Sequence, residues 1–113
     1  MIKIYHNPRC RKSREGVAIL EKSNKEFEIV KYLDDIPSAE TLTKIIKLLE
    51  ITPIQLIRKT EPIWKEHFKG KELSDAKIIE AMIANPKLIE RPIVISNKKA
   101  VIGRPPENII SII

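Results

Sequence analysis

Met1-Ile2-Lys3-Ile4-Tyr5-His6-Asn7-Pro8-Arg9-Cys10-Arg11-Lys12-Ser13-Arg14 opens the chain and decides how it folds. Residues 1 to 5 alternate as a strand does, Asn7-Pro8 is turn punctuation, and the run through Glu15 to Lys22 reads as helix from about residue 11 to 23. Cys10 therefore falls where a strand gives way to a helix. Helix N-termini carry unsatisfied N–H groups and the positive end of the macrodipole, which favour negative charge. Arg9, Arg11, Lys12 and Arg14 crowd around the thiol. A free Cys titrates near about 8.5, and such surroundings lower it to roughly 3.5–7.5, so a reactive thiolate is expected. The same N–H groups suit an incoming oxyanion. A lone Cys is more commonly a small buried hydrophobe, but an inert thiol has no use for so much neighbouring charge.

Around this stretch, the bulk numbers bound the problem. The chain has 113 residues, which predicts one domain spanning 1–113 with a single core, and 42% of them are apolar. Against 15 acidic residues stand 21 basic ones, a net charge of +6. That balance suits anionic ligands or polyanionic surfaces without choosing between them. The basic residues come without aromatic interleaving or a binding motif, which argues against nucleic acid. A single Cys excludes an internal disulfide and a Cys-rich metal site, and the two histidines, His6 and His67, form no ligand spacing. With no long apolar run, signal-type segment or lipidation motif, a membrane role is not expected and a cytoplasmic location is.

Beyond the first helix, Phe27 to Leu33 is rich in β-branched and aromatic residues and predicts a second strand. Strand, helix, strand at this spacing is a βαβ unit with a parallel pair. Ser38 is the expected N-cap of an amphipathic helix carrying Leu42, Ile45, Ile46 and Leu49. Thr52-Pro53 starts a short helix predicted to run through Leu56, Ile57 and Arg58. Residues 59 to 71 read as broken helix in which Trp64 and Phe68 pack. Ser74 caps a helix whose predicted buried face is Ile79, Met82 and Ile83, and Asn85-Pro86 ends it. Pro92-Ile93-Val94-Ile95 and Ala100-Val101-Ile102 form a hairpin, and Gly103-Arg104-Pro105-Pro106-Glu107 leads into a last helix. The fold class is thus α/β, a thioredoxin-like plan: a βαβ unit and a C-terminal ββα unit with a helical insertion between them.

His6-Asn7-Pro8-Arg9-Cys10, Tyr32-Leu33, Leu56-Ile57-Arg58-Lys59, Glu90-Arg91-Pro92-Ile93-Val94 and Gly103-Arg104-Pro105-Pro106-Glu107 occur in this order along nearly the whole chain. Together they resemble the glutaredoxin-linked arsenate reductase family. The resemblance implies that Cys10 is the nucleophile, that Arg58, Arg91 and Arg104 position the oxyanion, and that His6 tunes the thiolate. Planar guanidinium forks suit a tetrahedral oxyanion such as arsenate. Asn7, Ser13 and Arg14 are expected to supply donors in the loop, and Pro92 resembles the cis-proline that thioredoxin-like folds set opposite the thiol. Arg91 and Arg104 each precede a proline, which pushes them into extended conformation.

Ser13 stands where a dithiol oxidoreductase has its second Cys, so an oxidised Cys10 needs an external thiol. The resemblance implies glutathione as co-substrate and glutaredoxin as partner, with no bound cofactor and no metal. Gly16 occupies the position where a phosphatase loop would have its arginine. Two alternatives share the family: an Spx-like regulator that binds RNA polymerase, for which the second Cys is missing, and a glutathione-dependent thiol reductase of another substrate.

Overall fold

In the computed structural model, which describes residues 1–113, the N-terminal alternation becomes strand β1 (Ile2–Tyr5), followed by helix α1 (Arg11–Lys22) and strand β2 (Phe27–Val30). Helices α2 (Ala39–Leu49), α3 (Pro62–His67) and α4 (Asp75–Ala84) come next, then strands β3 (Ile93–Ser96) and β4 (Lys99–Ile102). Three 3₁₀ segments, Pro53–Leu56, Pro86–Leu88 and Pro106–Ile112, complete the order. No helix is long and apolar enough to cross a membrane.

The chain gathers into two compact units, Met1–Asp35 with Arg91–Ile113, and Ile36–Glu90. The first holds the sheet, in the order β2-β1-β3-β4. β1 runs parallel to β2 and antiparallel to β3, with Ile4 opposite Ile29 on one side and Val94 on the other. The α/β, thioredoxin-like fold expected from the sequence is the one observed. Its core joins Ile2, Ile4, Leu20, Val94 and Ile109, with Val17, Phe27, Val101 and Ile112 packed against them. α1 passes over this core through Gly16, whose absent side chain leaves room for Ile109, Pro92 and Ile4.

The second unit packs α2 on α4 and α4 on the Pro53–Leu56 turn. Ser38 and Ser74 cap as predicted, their hydroxyls accepting from the N–H of Thr41 and Lys77 at 3.1 and 3.3 Å. Trp64 is buried and stacks on Phe68, ring centroids 5.6 Å apart.

Several boundaries differ from the sequence reading. β2 ends at Val30 rather than Leu33, because its ladder partner β1 ends at Tyr5. The N–H groups of Asp34 and Asp35 then converge on the carbonyl of Lys31 and turn the chain, with Tyr32 buried in that turn. Ile57 and Arg58 leave the helix: Ile57 is extended and forms a bridge with Ile89, and Arg58 N–H donates to Leu88 O at 2.7 Å. Pairing of residues 56–58 with 88–90 thus replaces the helical bonds. On α4 the buried face is Ile78, Ala81 and Met82, not Ile79, Met82 and Ile83. Both sets are apolar at helical spacing, and small Ala81 faces the packing because α4 has neighbours on that side. Pro92 precedes β3 instead of beginning it, and the hairpin turns on Asn97-Lys98, Asn97 having φ +57°. The last helix is 3₁₀, a form in which residues three apart eclipse, so that Ile109 and Ile112 both reach the core.

Candidate active site

The sequence around Cys10 builds its own loop. Asn7 Oδ1 accepts the N–H of Arg9 at 3.0 Å, and Asn7 O accepts the N–H of Cys10 at 3.0 Å, an Asx turn that sets up the helix. Cys10 is the N-cap of α1, with extended backbone angles φ −96° and ψ 122°. Its side chain makes no capping bond, so the sulfur is not spent on the helix. The first-turn N–H groups have no acceptors within the helix.

Behind the loop lies a buried polar chain. Ser13 Oγ accepts the N–H of Asn7 at 2.9 Å and lies 2.6 Å from His6 Nδ1. The hydroxyl oxygen has two acceptor sites and one proton, so it bonds both Asn7 N–H and the His6 ring, the direction of the second bond following the ring's tautomer. Burial pushes the His6 pKa below its ordinary value of 6.5, and the charges of Lys31 and Arg14 push the same way, with a hydrogen bond at Ser13 opposing them. His6 is therefore a neutral buried imidazole near pH 7. Tyr5, one residue earlier, has its pKa raised by burial and by the carboxylates of Asp35 and Glu28.

Of the residues singled out in the sequence, Cys10, His6, Asn7, Ser13, Arg14, Arg91, Pro92 and Arg104 all belong to the unit that carries the sheet. Arg104 Nη2 lies 3.6 Å from Cys10 Sγ, and its Nε donates to Arg91 O at 2.8 Å. The carbonyl before Pro92 thereby fixes the arginine that touches the thiol. The Arg91–Pro92 bond is cis, as expected for Pro92, and so is Arg104–Pro105. Arg14 Nη1 donates to Pro8 O at 3.0 Å, which clamps the loop. Ser13 is fully buried, so its hydroxyl serves the loop from within. Arg11 and Lys12 turn to Glu15, at 3.2 and 3.7 Å. Arg58 lies in the other unit, where it donates to Lys87 O at 3.3 Å and pairs with Glu61 at 3.0 Å. No cluster of three or more His, Cys, Asp or Glu side chains is placed to hold a metal ion.

Residues 5–112 match the ArsC family. The chain belongs to that family. Across 99% of its length it is 46% identical to the uncharacterised protein YfgD of Escherichia coli K12, covering 96% of that protein. It is 41% identical to the arsenate reductase of Haemophilus influenzae, over 97% of each chain. The solved structure of the arsenate reductase from Vibrio cholerae superimposes with a TM-score of 0.95 at 42% identity, covering 99% of this chain and 97% of that one.

Two supports of the ArsC-type site went unread in the sequence. Asn108 Nδ2 donates to the carbonyls of Arg104 and Ile102, at 3.3 and 3.4 Å, and holds the backbone that carries the arginine. A short polar side chain beside a Pro-Pro turn is the signal that points to it. Gly103 is the other: a Cβ there would lie 2.9 Å from Pro92 Cγ. Only the folded contact reveals that need.

Proposed function

We propose that this ArsC-family protein reduces arsenate to arsenite, with Cys10 as nucleophile. The observation that carries the reading is the Arg104 guanidinium 3.6 Å from the only thiol of the chain, at the start of α1. A fixed cation there stabilises both a thiolate and the oxyanion it attacks. In this mechanism the Cys10 thiolate displaces one oxygen of arsenate, which leaves as water, and an S–As bond forms. Glutathione attacks the adduct and displaces a second oxygen. The two sulfurs then join as a mixed disulfide on Cys10, and arsenic departs with two more electrons as arsenite. Glutaredoxin attacks the mixed disulfide and returns Cys10 to the thiol. Arg91 adds to the oxyanion's charge partners, Asn7, Ser13 and Arg14 hold the loop and its N–H donors, and Pro92 supports the facing wall. A cytoplasmic setting, where thiols stay reduced, goes with this chemistry.

The test measures arsenite formed from arsenate with glutathione and glutaredoxin present. Cys10→Ser should abolish turnover, and Arg91→Ala should lower kcat/KM by about 10²-fold, the usual loss of one oxyanion donor. Absence of turnover in the unmodified protein, with Cys10 still open to alkylation, would remove arsenate as the substrate.

A further inference from the structure

A cleft of about 280 Å³ adjoins the Cys10 loop, lined by residues 6–9 of the loop and by Lys31, Leu33 and Asp34 after β2. Three charges line it, and none is neutralised. The side chains of Arg9, Lys31 and Asp34 make no ion pair or hydrogen bond, although the two signs stand around one opening. Their backbone is nonetheless fixed: Asp34 N–H donates to Lys31 O at 3.0 Å, and Arg9 N–H to Asn7 Oδ1 at 3.0 Å. Two cations and one carboxylate complement a ligand that carries two carboxylates and one ammonium. The volume falls just short of the range of small-ligand sites, roughly 300–1,000 Å³, and suits one end of such a molecule. Arg9 immediately precedes Cys10, so the cleft adjoins the loop that carries the thiol.

We infer, building on the external-thiol reading above, that this cleft seats a zwitterionic peptide thiol of the glutathione type. Lys31 and Arg9 take its carboxylates, and Asp34 takes its ammonium. Lys31 and Asp34 are exposed, so changing them leaves the fold intact.

The test follows mixed-disulfide formation by mass, without arsenate. The Cys10 thiolate attacks one sulfur of glutathione disulfide, a Cys10–glutathione bond forms, and a glutathione thiolate leaves with the electron pair of the broken bond. The unmodified protein should show a rate that saturates with glutathione disulfide and stays linear with uncharged bis-hydroxyethyl disulfide. Lys31→Glu should slow the glutathione disulfide reaction about tenfold and leave the uncharged one alone. Asp34→Asn should slow glutathione disulfide but not dithiodipropionate, which has carboxylates and no ammonium. Lys99→Glu, an equal change of net charge at the far end of the hairpin, should do nothing. Equal slowing of both disulfides by Lys31→Glu, no slowing of either, or the same slowing from Lys99→Glu would overturn the site, as would a Cys10 inert to every disulfide. Selectivity retained in a protein that turns over no arsenate would sink arsenate and leave the thiol site standing. Arsenate turnover with a glutathione KM untouched by Lys31→Glu would do the reverse.

Discussion

Arg104 combines two contacts that a point charge cannot reproduce. Its Nε is fixed on Arg91 O while Nη2 reaches Cys10 Sγ. A lysine offers one ammonium on a flexible stem and cannot hold both. Arg104→Lys is therefore expected to recover little of what Arg104→Ala loses, and both should slow alkylation of Cys10 by iodoacetamide as well as arsenate turnover. Full rescue by lysine would show that charge alone matters and that the anchor on Arg91 does not.

His6 gives a pH dependence whose sign follows from its lowered pKa. The unfolded chain, with an ordinary value near 6.5, binds a proton more readily than the folded one between the two values. Stability from this group is complete above about 6.5 and is lost as pH falls through the folded value. The urea midpoint should fall with pH below about 6.5, and His6→Gln should flatten that part of the curve. An unchanged slope in the variant would place the titrating group elsewhere.

At the scale of elements, α1 meets the C-terminal 3₁₀ segment at Gly16, where the helix has no side-chain atoms. A Cβ on Gly16 would stand 3.1 Å from both Ile109 Cδ1 and Pro92 Cγ, and 3.3 Å from Ile4 Cδ1. Helix propensity alone would reward Gly16→Ala by about 1 kcal/mol. Overpacking against three core atoms costs about 1–3 kcal/mol. The substitution should therefore lower the denaturation midpoint, and a rise would mean that Ile109 and Pro92 yield easily. Ser38→Ala removes the cap of α2 and should cost about 1 kcal/mol, read by urea denaturation. These caps were legible because a serine at a fixed offset before an apolar period acts locally. The face of α4 was not, because Ile79 and Ile83 match the period as well as Ile78 and Ala81, and only neighbouring elements distinguish them.

For the molecule as a whole, stability in the sheet-bearing unit rests on a few fully buried apolar side chains. Leu20 and Val94 are both 0% exposed within the cluster that also holds Ile4 and Ile109. Leu20→Ala should cost about 2–5 kcal/mol, a large share of the stability of a small protein, measured as a shift in the urea midpoint. A loss under about 1 kcal/mol would mean that the surrounding side chains collapse into the space.

The sequence by itself determined the class of fold, the parallel β1–β2 pair and the placing of Cys10 at a helix N-cap, because alternation, period and capping are properties of neighbours in the chain. The family pattern pointed to Arg91, Pro92 and Arg104 as site residues. Only the tertiary structure decided that Arg104 reaches the sulfur while anchored on Arg91 O, that His6 Nδ1 meets Ser13 Oγ, and that Arg58 is paired with Glu61. It alone set Lys31 and Asp34 beside the loop. Those contacts join residues as far apart as Cys10 and Arg104, and no local rule fixes a distance between side chains that meet only after the strands have paired.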